Sequence, residues 1–160
     1  MAKPPPSPVE LAIDYVTVRR RFERELRGYL RKKGIEGEDI EPTIERLKEL
    51  NLVDDAATSC AWIRDRRNFS PRGRTLIRME LRKHGVPDAT IDEALAEEYP
   101  EADETELALA LLRKSANKWA SLDPRVAERR MWGTLGRRGF SPDATRQALA
   151  EFAAEREDQE

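Results

Sequence analysis

Leu30-Arg31-Lys32-Lys33-Gly34-Ile35, Leu81-Arg82-Lys83-His84-Gly85-Val86 and Leu135-Gly136-Arg137-Arg138-Gly139-Phe140 are one pattern written three times. Each copy runs Leu, three mostly basic residues, Gly, then an apolar residue. The copies stand 51 and then 54 residues apart. Four residues before each Leu sit Leu26, Ile77 and Met131, and fourteen after it sit Ile44, Leu95 and Leu149. Four before those anchors are Ile40, Ile91 and Thr145. Three copies in phase mark an internal repeat, and a repeat of this length dictates the architecture before any other feature is read.

The local physics of each copy is helix, turn, helix. Apolar residues four apart share a helix face, so Leu26/Leu30, Ile77/Leu81 and Met131/Leu135 predict one helix per copy. Cations in its last turn suit the negative end of the helix dipole, and Gly supplies the left-handed residue that closes it. A second helix starts at once. Pro87 and Pro142 fit a first turn where a missing N–H costs nothing. Ser141 is an N-cap, and Asp88 and Asp143 complement the dipole. Its apolar face reads Ile40, Ile44, Leu47; Ile91, Ala94, Leu95; and Ala148, Leu149, Phe152. An earlier helix is expected over 8–20, over 55–67 (capped by Asp54 or Asp55) and over 104–119. No stretch alternates with the period of a strand.

The expected fold is therefore all-α: three tandem three-helix repeats forming an elongated, curved molecule. The expected divisions are a disordered tail over 1–7, repeats over 8–53, 54–101 and 102–154, and an acidic tail over 155–160. Linkers are expected near Asn51–Asp54 and Pro100–Asp103. Units this small bury little surface alone, so neighbours are expected to lean on one another.

The chain has 160 residues, of which 38% are charged, and a formal charge of -2. No apolar run approaches the roughly 18 residues of a membrane span, and Met1–Glu10 is Pro-rich without a signal-like apolar segment. One Cys cannot form an internal disulfide, which points to a reducing, cytoplasmic setting. One Cys and one His leave no ordinary zinc site, and no cofactor is expected. The small net charge hides three basic blocks: residues 15–35, 60–85 and 111–138 each hold eight Arg or Lys and two acids. The rest of the chain carries five basic residues and twenty-five acids.

These blocks supply the candidate binding residues: Arg19, Arg20, Arg24 and Arg27, with Arg21 beside them; Arg64, Arg67, Arg72, Arg74, Arg78 and Arg82, with Arg66 and Lys83; and Arg130, Arg137 and Arg138, with Arg129. Arg dominates over Lys, as suits bidentate recognition of phosphates or carboxylates. If the repeats stack regularly, the blocks recur along one edge and follow a long polymer. Set against this, charge runs on helices are often solvated faces with i, i+4 pairing; here each block is unbalanced within its own stretch of sequence. His84 reads as a partly exposed helix-terminal His, Cys60 as a buried structural thiol, and Trp62, Trp119 and Trp132 as core or inter-repeat packing, with base stacking on an exposed Trp as the alternative. The acidic run from Glu97 to Glu104 lacks ordered ligand spacing and reads as a linker edge rather than a metal site. No phosphate loop, Ser-His-Asp set or metal-spaced carboxylate cluster is present, so an enzyme is not expected.

Three motifs carry a resemblance. Leu135-Gly136-Arg137-Arg138-Gly139-Phe140-Ser141, Ile77-Arg78-Met79-Glu80-Leu81-Arg82-Lys83-His84-Gly85-Val86, and Leu52-Val53-Asp54-Asp55 leading into Ala61-Trp62-Ile63-Arg64 resemble segments of the bacterial RecX regulatory proteins over about residues 9–153. Departures are Thr58, where members often place an aromatic residue, Phe22 in place of a Ser-type cap, and a longer segment at Ser70–Thr75. The resemblance implies a monomer that binds the groove of a RecA recombinase filament and its single-stranded DNA, with double-stranded DNA as a further candidate, and no membrane. It implies inhibition of filament growth, ATP hydrolysis, strand exchange and repressor cleavage. The basic edge is then the RecA/DNA-binding surface. The alternative is a nucleic-acid-binding helical protein or a helix-turn-helix-like transcription regulator, to which the rhythm of basic helices also corresponds.

Overall fold

A computed structural model describes residues 4–158. Among the described residues the chain is all-α, with no strand: α1 (Pro8–Val18), α2 (Glu23–Lys32), α3 (Gly37–Glu49), α4 (Asp55–Asn68), α5 (Arg74–Lys83), α6 (Asp88–Glu98), α7 (Glu101–Lys114), a short 3-10 turn (Ala116–Lys118), α8 (Pro124–Arg137) and α9 (Pro142–Glu157). No helix among the described residues is long and apolar enough to cross a membrane.

The thrice-written pattern builds the same turn three times. Gly34, Gly85 and Gly139 take φ of 79°, 78° and 80°. The next residue's N–H returns to the carbonyl of the patterned Leu: Ile35 to Leu30, Val86 to Leu81 and Phe140 to Leu135, each at 3.1 Å. This is the two-bond helix stop that a left-handed Gly permits. The second helix of each copy then begins two or three residues on.

Expectations are corrected at both ends of α7, at the end of α1 and at the two tails. The helix expected over 104–119 begins at Glu101 and stops at Lys114. Its first turn gathers Glu101, Asp103 and Glu104 at the positive end of the dipole, so the expected linker is helix. The helix expected to reach residue 20 ends at Val18, because Arg19 is extended. Ser7, within the expected N-terminal tail, caps α1 with its hydroxyl while Glu10 returns a hydrogen bond to the Ser7 N–H; residues 1–3 of that tail lie outside the described residues. At the other end Glu155–Glu157 belong to α9, and residues 159 and 160 lie outside the described residues.

By spatial proximity the chain falls into two compact units, Met1–Ser59 with Leu81–Ile91, and Cys60–Glu80 with Asp92–Glu160. In the first unit Ala12, Val16, Leu26, Leu30, Ile40, Ile44, Leu47 and Val53 form the core. Tyr15 and Tyr29 stack 3.9 Å apart, with the Arg21 guanidinium over Tyr15. At the start of α2, the Glu23 N–H donates to Asp55 Oδ1 at 2.9 Å. Phe22, 1% exposed, stacks on His84, and Arg24 donates to the Lys83 carbonyl.

The second unit repeats this joint with other residues. Its core includes Ala108, Leu112, Trp119, Met131, Leu135, Phe140, Ala148 and Phe152. At the start of α5 the Arg74 N–H donates to Glu104 Oε1 at 2.9 Å. Glu104 is 2% exposed and also accepts from the Ser141 N–H and hydroxyl. The Gly73 and Thr75 N–H groups donate to the Arg138 and Gly139 carbonyls. In both units an acid that opens one repeat's first helix caps the second helix of the repeat before it. Such a cap satisfies a donor that would otherwise be orphaned.

Candidate functional site

The middle basic block is neutralised by acids far away in sequence. Arg64 pairs with Glu98 at 3.2 Å, Arg67 with Asp103 at 2.7 Å, Arg74 with Glu101 at 3.1 Å, Arg78 with Asp92 at 2.5 Å and Arg82 with Asp88 at 2.7 Å. Glu80 takes both Arg66 and Arg72, and accepts the Trp62 indole N–H at 2.8 Å. The partners of Arg64, Arg67, Arg74 and Arg78 stand 34, 36, 27 and 14 residues away, and all lie outside the 60–85 stretch whose charge was counted.

The first block is partly neutralised. Arg19 and Arg21 share Glu25. Arg27 bridges Glu23 at 3.1 Å and Glu41 at 2.6 Å. That guanidinium, hydrogen-bonded to Glu41, holds the Glu41 carboxyl below its ordinary range. Arg24 spends a donor on the Lys83 carbonyl. Arg20 is exposed and pairs with no acid among the described residues.

The third block behaves differently. Arg125, Arg129, Arg130, Arg137 and Arg138 are all exposed, and none pairs with an acid among the described residues. Arg138 donates to the Pro71 carbonyl, and Arg137 reaches the Thr134 hydroxyl at 3.5 Å. The helix explains the layout. Ala127, Met131 and Leu135, four apart, turn one side of α8 into the core. The opposite side carries Arg125, Arg129, Trp132 and Gly136 on one stripe, with Arg130 and Arg137 at its far edge. α8 makes its own cap, since Asp123 accepts from the Arg125 and Val126 N–H groups. Arg125, counted in the basic stretch but not among the candidate residues drawn from it, and the uncharged Trp132 are the members of this face that the candidate list leaves out. Their spacing from Arg129, four before and three after, is the signal that would find them.

Corresponding positions show how this face arises. Arg27, Arg78 and Trp132 occupy one position of the repeat, and Glu41, Asp92 and Arg146 occupy another, fourteen residues on. In the first two copies the positions form ion pairs. In the third the Arg has become Trp and the acid has become Arg, so charge that cancels twice is left standing once. Trp132 is 41% exposed, against the packed position expected for it, and borders a groove of about 560 Å³ whose lining includes Trp119, Met131 and Phe152 and the charged Glu128, Arg146, Arg156 and Glu157.

Other singled-out residues are placed as follows. Trp119 is buried in the core of the second unit, and Trp62 is half-buried beneath the Arg66 guanidinium. His84 is half-buried against Phe22. Cys60 is not the buried thiol expected: it is half-exposed beside Glu97, because Ser59 and Ile63 take the inward positions of α4. Cys60, Glu97 and Glu98 each bring one ligand atom within 4.8 Å of the others, but Glu98 is engaged by Arg64.

Comparison with known proteins bears on the same repeats. Residues 9–47, 54–95 and 102–149 match the family patterns described as RecX first, second and third three-helix domain. The chain is 33% identical over 150 residues to the regulatory protein RecX of Amycolatopsis mediterranei, covering 91% of this chain and 85% of that one. It is 36% identical over 141 residues to that of Prosthecochloris aestuarii, covering 88% and 90%. The relative from Geobacillus thermodenitrificans is longer: at 32% identity the match spans 93% of this chain but 55% of that one. The crystal structure of RecX from Lactobacillus salivarius superposes with a TM-score of 0.86 at 25% identity, covering 92% of this chain and 95% of that one.

Proposed function

Because the chain belongs to the RecX family of regulatory proteins, we propose that it is a non-catalytic regulator of the RecA recombinase. As a cytoplasmic monomer it binds the RecA–DNA filament, impedes its growth, and lowers ATP hydrolysis, strand exchange and repressor cleavage. The observation that carries the proposal is the exposed face of α8, whose arginines have no internal acid to give up before meeting a phosphate or a carboxylate. An arginine already in an ion pair must first lose that partner. Exposed pairs contribute only about 0.2–1 kcal/mol each, so the arginines of α2, α4 and α5 join the contact by exchanging one acceptor for another. The bulk of the attraction then comes from the last repeat.

The test follows ATP turnover by RecA on single-stranded DNA as the purified chain is added. Turnover falls with the natural chain. It recovers when Arg129, Arg130, Arg137 and Arg138 are all reversed to Glu, with helicity unchanged. Turnover indifferent to the natural chain at saturating amounts rejects the reading.

A further inference from the structure

We propose that Trp132 and the arginines of its own stripe of α8 form a binding site for a single-stranded polynucleotide, with one base stacked on the indole and the flanking phosphates held by Arg125 and Arg129. The inference deepens the filament reading and rests on it for the natural source of the strand, but its geometry is carried by this helix alone.

The ring is available. Trp132 is 41% exposed on a helix whose other large apolar residues that face inward, Met131 and Leu135, are buried. It stacks on no other ring and lies beneath no cation among the described residues. By contrast, Trp62 is covered by Arg66, and Trp119 lies in the core. At the corresponding position in the first two copies stands an arginine tied to an acid of the next helix. The third copy replaces that closed pair by a flat aromatic surface, with a cation, Arg146, in place of the acid. Arg146 meets only Asp143, its neighbour one turn earlier, in a fully exposed pair.

The surroundings specify the ligand. Arg125 and Arg129, seven and three residues before the ring, lie on its stripe and set two cations along the helix axis at about 5.4 Å per turn. Glu128, one turn before the ring, lies on its other flank, and Arg130 and Arg137 face the far edge of the exposed side. Gly136, next on the ring's own stripe, would place an added Cβ in open space. A chain of phosphates with bases as side groups fits both features at once, since every base offers a π-face and stacking tolerates any sequence. A duplex keeps its bases stacked inside and offers the ring nothing. An acidic peptide would satisfy the guanidinium groups and leave the indole unused.

The experiment titrates the whole chain, without RecA, with a thymidine oligonucleotide and follows tryptophan fluorescence at two salt concentrations. Binding quenches the fluorescence. Trp132→Leu abolishes the quenching and weakens binding about tenfold or more, the scale of one lost base–aromatic stack. Trp132→Phe abolishes the quenching but keeps most of the affinity, because a ring remains. Arg125→Glu with Arg129→Glu lowers the salt slope by about 0.7 for each phosphate contact removed. A uridine oligonucleotide behaves like the thymidine one, and a duplex of the same length binds more weakly. Unchanged affinity in Trp132→Leu, quenching that persists in Trp132→Phe, or equal quenching by poly-glutamate overturns the site. If the strand fails to bind while RecA turnover is still suppressed, this inference falls and the filament reading stands. If the strand binds at Trp132 while turnover is untouched, the site stands and the filament reading falls.

Discussion

The middle and the last repeat start from equal charge and end in opposite states. Residues 60–85 and 111–138 each hold eight basic residues and two acids. In the first stretch Arg64, Arg66, Arg67, Arg72, Arg74, Arg78 and Arg82 all meet carboxylates. In the second, Arg113 pairs with Glu155, but the arginines on the exposed side of α8 meet no acid among the described residues. The acids that differ lie outside both windows. Asp88, Asp92, Glu98, Glu101 and Asp103 fold back on the middle block, whereas α9 offers Arg146 where α6 offers Asp92. An excess of charge counted along a chain therefore says where cations are, and says nothing of which remain free.

The widest contrast concerns the turn that all three repeats share, compared between the first and the last. A Cβ on Gly139 would fall inside the Leu76 side chain and 2.6 Å from its backbone N, while a Cβ on Gly34 would meet nothing within 4 Å. Gly34→Ala should cost about 1–2 kcal/mol, the price of a left-handed residue alone. Gly139→Ala should cost well beyond that, about 3 kcal/mol or more, because backbone must move as well. Equal melting temperatures for the two variants would show that the turns are equally open.

Charge reversal separates the blocks next. Arg129, Arg130, Arg137 and Arg138 all changed to Glu should lower affinity for the filament about a hundredfold or more, roughly 2.7 kcal/mol, and leave the melting temperature within a few degrees. Arg72, Arg74 and Arg78 changed to Glu should act the other way. The triple variant sets new carboxylates against Glu80, Glu101 and Asp92, and should lose about 1–3 kcal/mol of stability. Calorimetry and binding on the same preparations decide it, and the comparison breaks if the middle variant loses binding with no loss of stability.

A third variant erases the contrast. Trp132→Arg with Arg146→Glu restores in the last repeat the pair that joins Arg27 to Glu41 and Arg78 to Asp92. Stability should change by no more than about 1 kcal/mol, while single-strand affinity should fall about tenfold.

The smallest effect concerns the caps, remote in α2 and local in α8. Burial raises the pKa of Asp55 above its ordinary value, although the Glu23 N–H opposes this. The stability that a raised carboxyl contributes is full below its unfolded pKa of about 3.9, and it is lost as pH rises through the folded value. Asp55→Asn keeps an acceptor for the Glu23 N–H and removes the charge. Relative to the natural chain it should gain a few tenths of a kcal/mol between pH 4 and pH 7. A variant that instead loses ground over that interval would mean that the charge itself holds the cap.

Much of the fold was legible beforehand because its rules are short-range. The Leu-to-Gly pattern located three turns whose hydrogen bonds close within six residues, and apolar residues four apart marked the inward sides of α2, α5 and α8. Element ends were less legible. α7 starts at Glu101 because three acids gather at its positive end, and α2 is capped by Asp55, thirty-two residues away. The site was legible in part. Arg130, Arg137 and Arg138 were visible as a basic block, but they carried the same weight as the paired arginines of α4 and α5, and Trp132 read as core or inter-repeat packing, with base stacking on one exposed Trp as the alternative but nothing to say which Trp.

The amino-acid order alone determined the repeats, the helices and the left-handed glycines, since each depends on neighbours within about a turn or two. Only the tertiary structure decided which arginines face an acid, which tryptophan stays uncovered and which turn tolerates a side chain. Those outcomes depend on groups brought together from distant parts of the chain, such as Arg78 and Asp92 14 residues apart, Arg67 and Asp103 36, and Leu76 and Gly139 63, and at that range position in space replaces position in the chain.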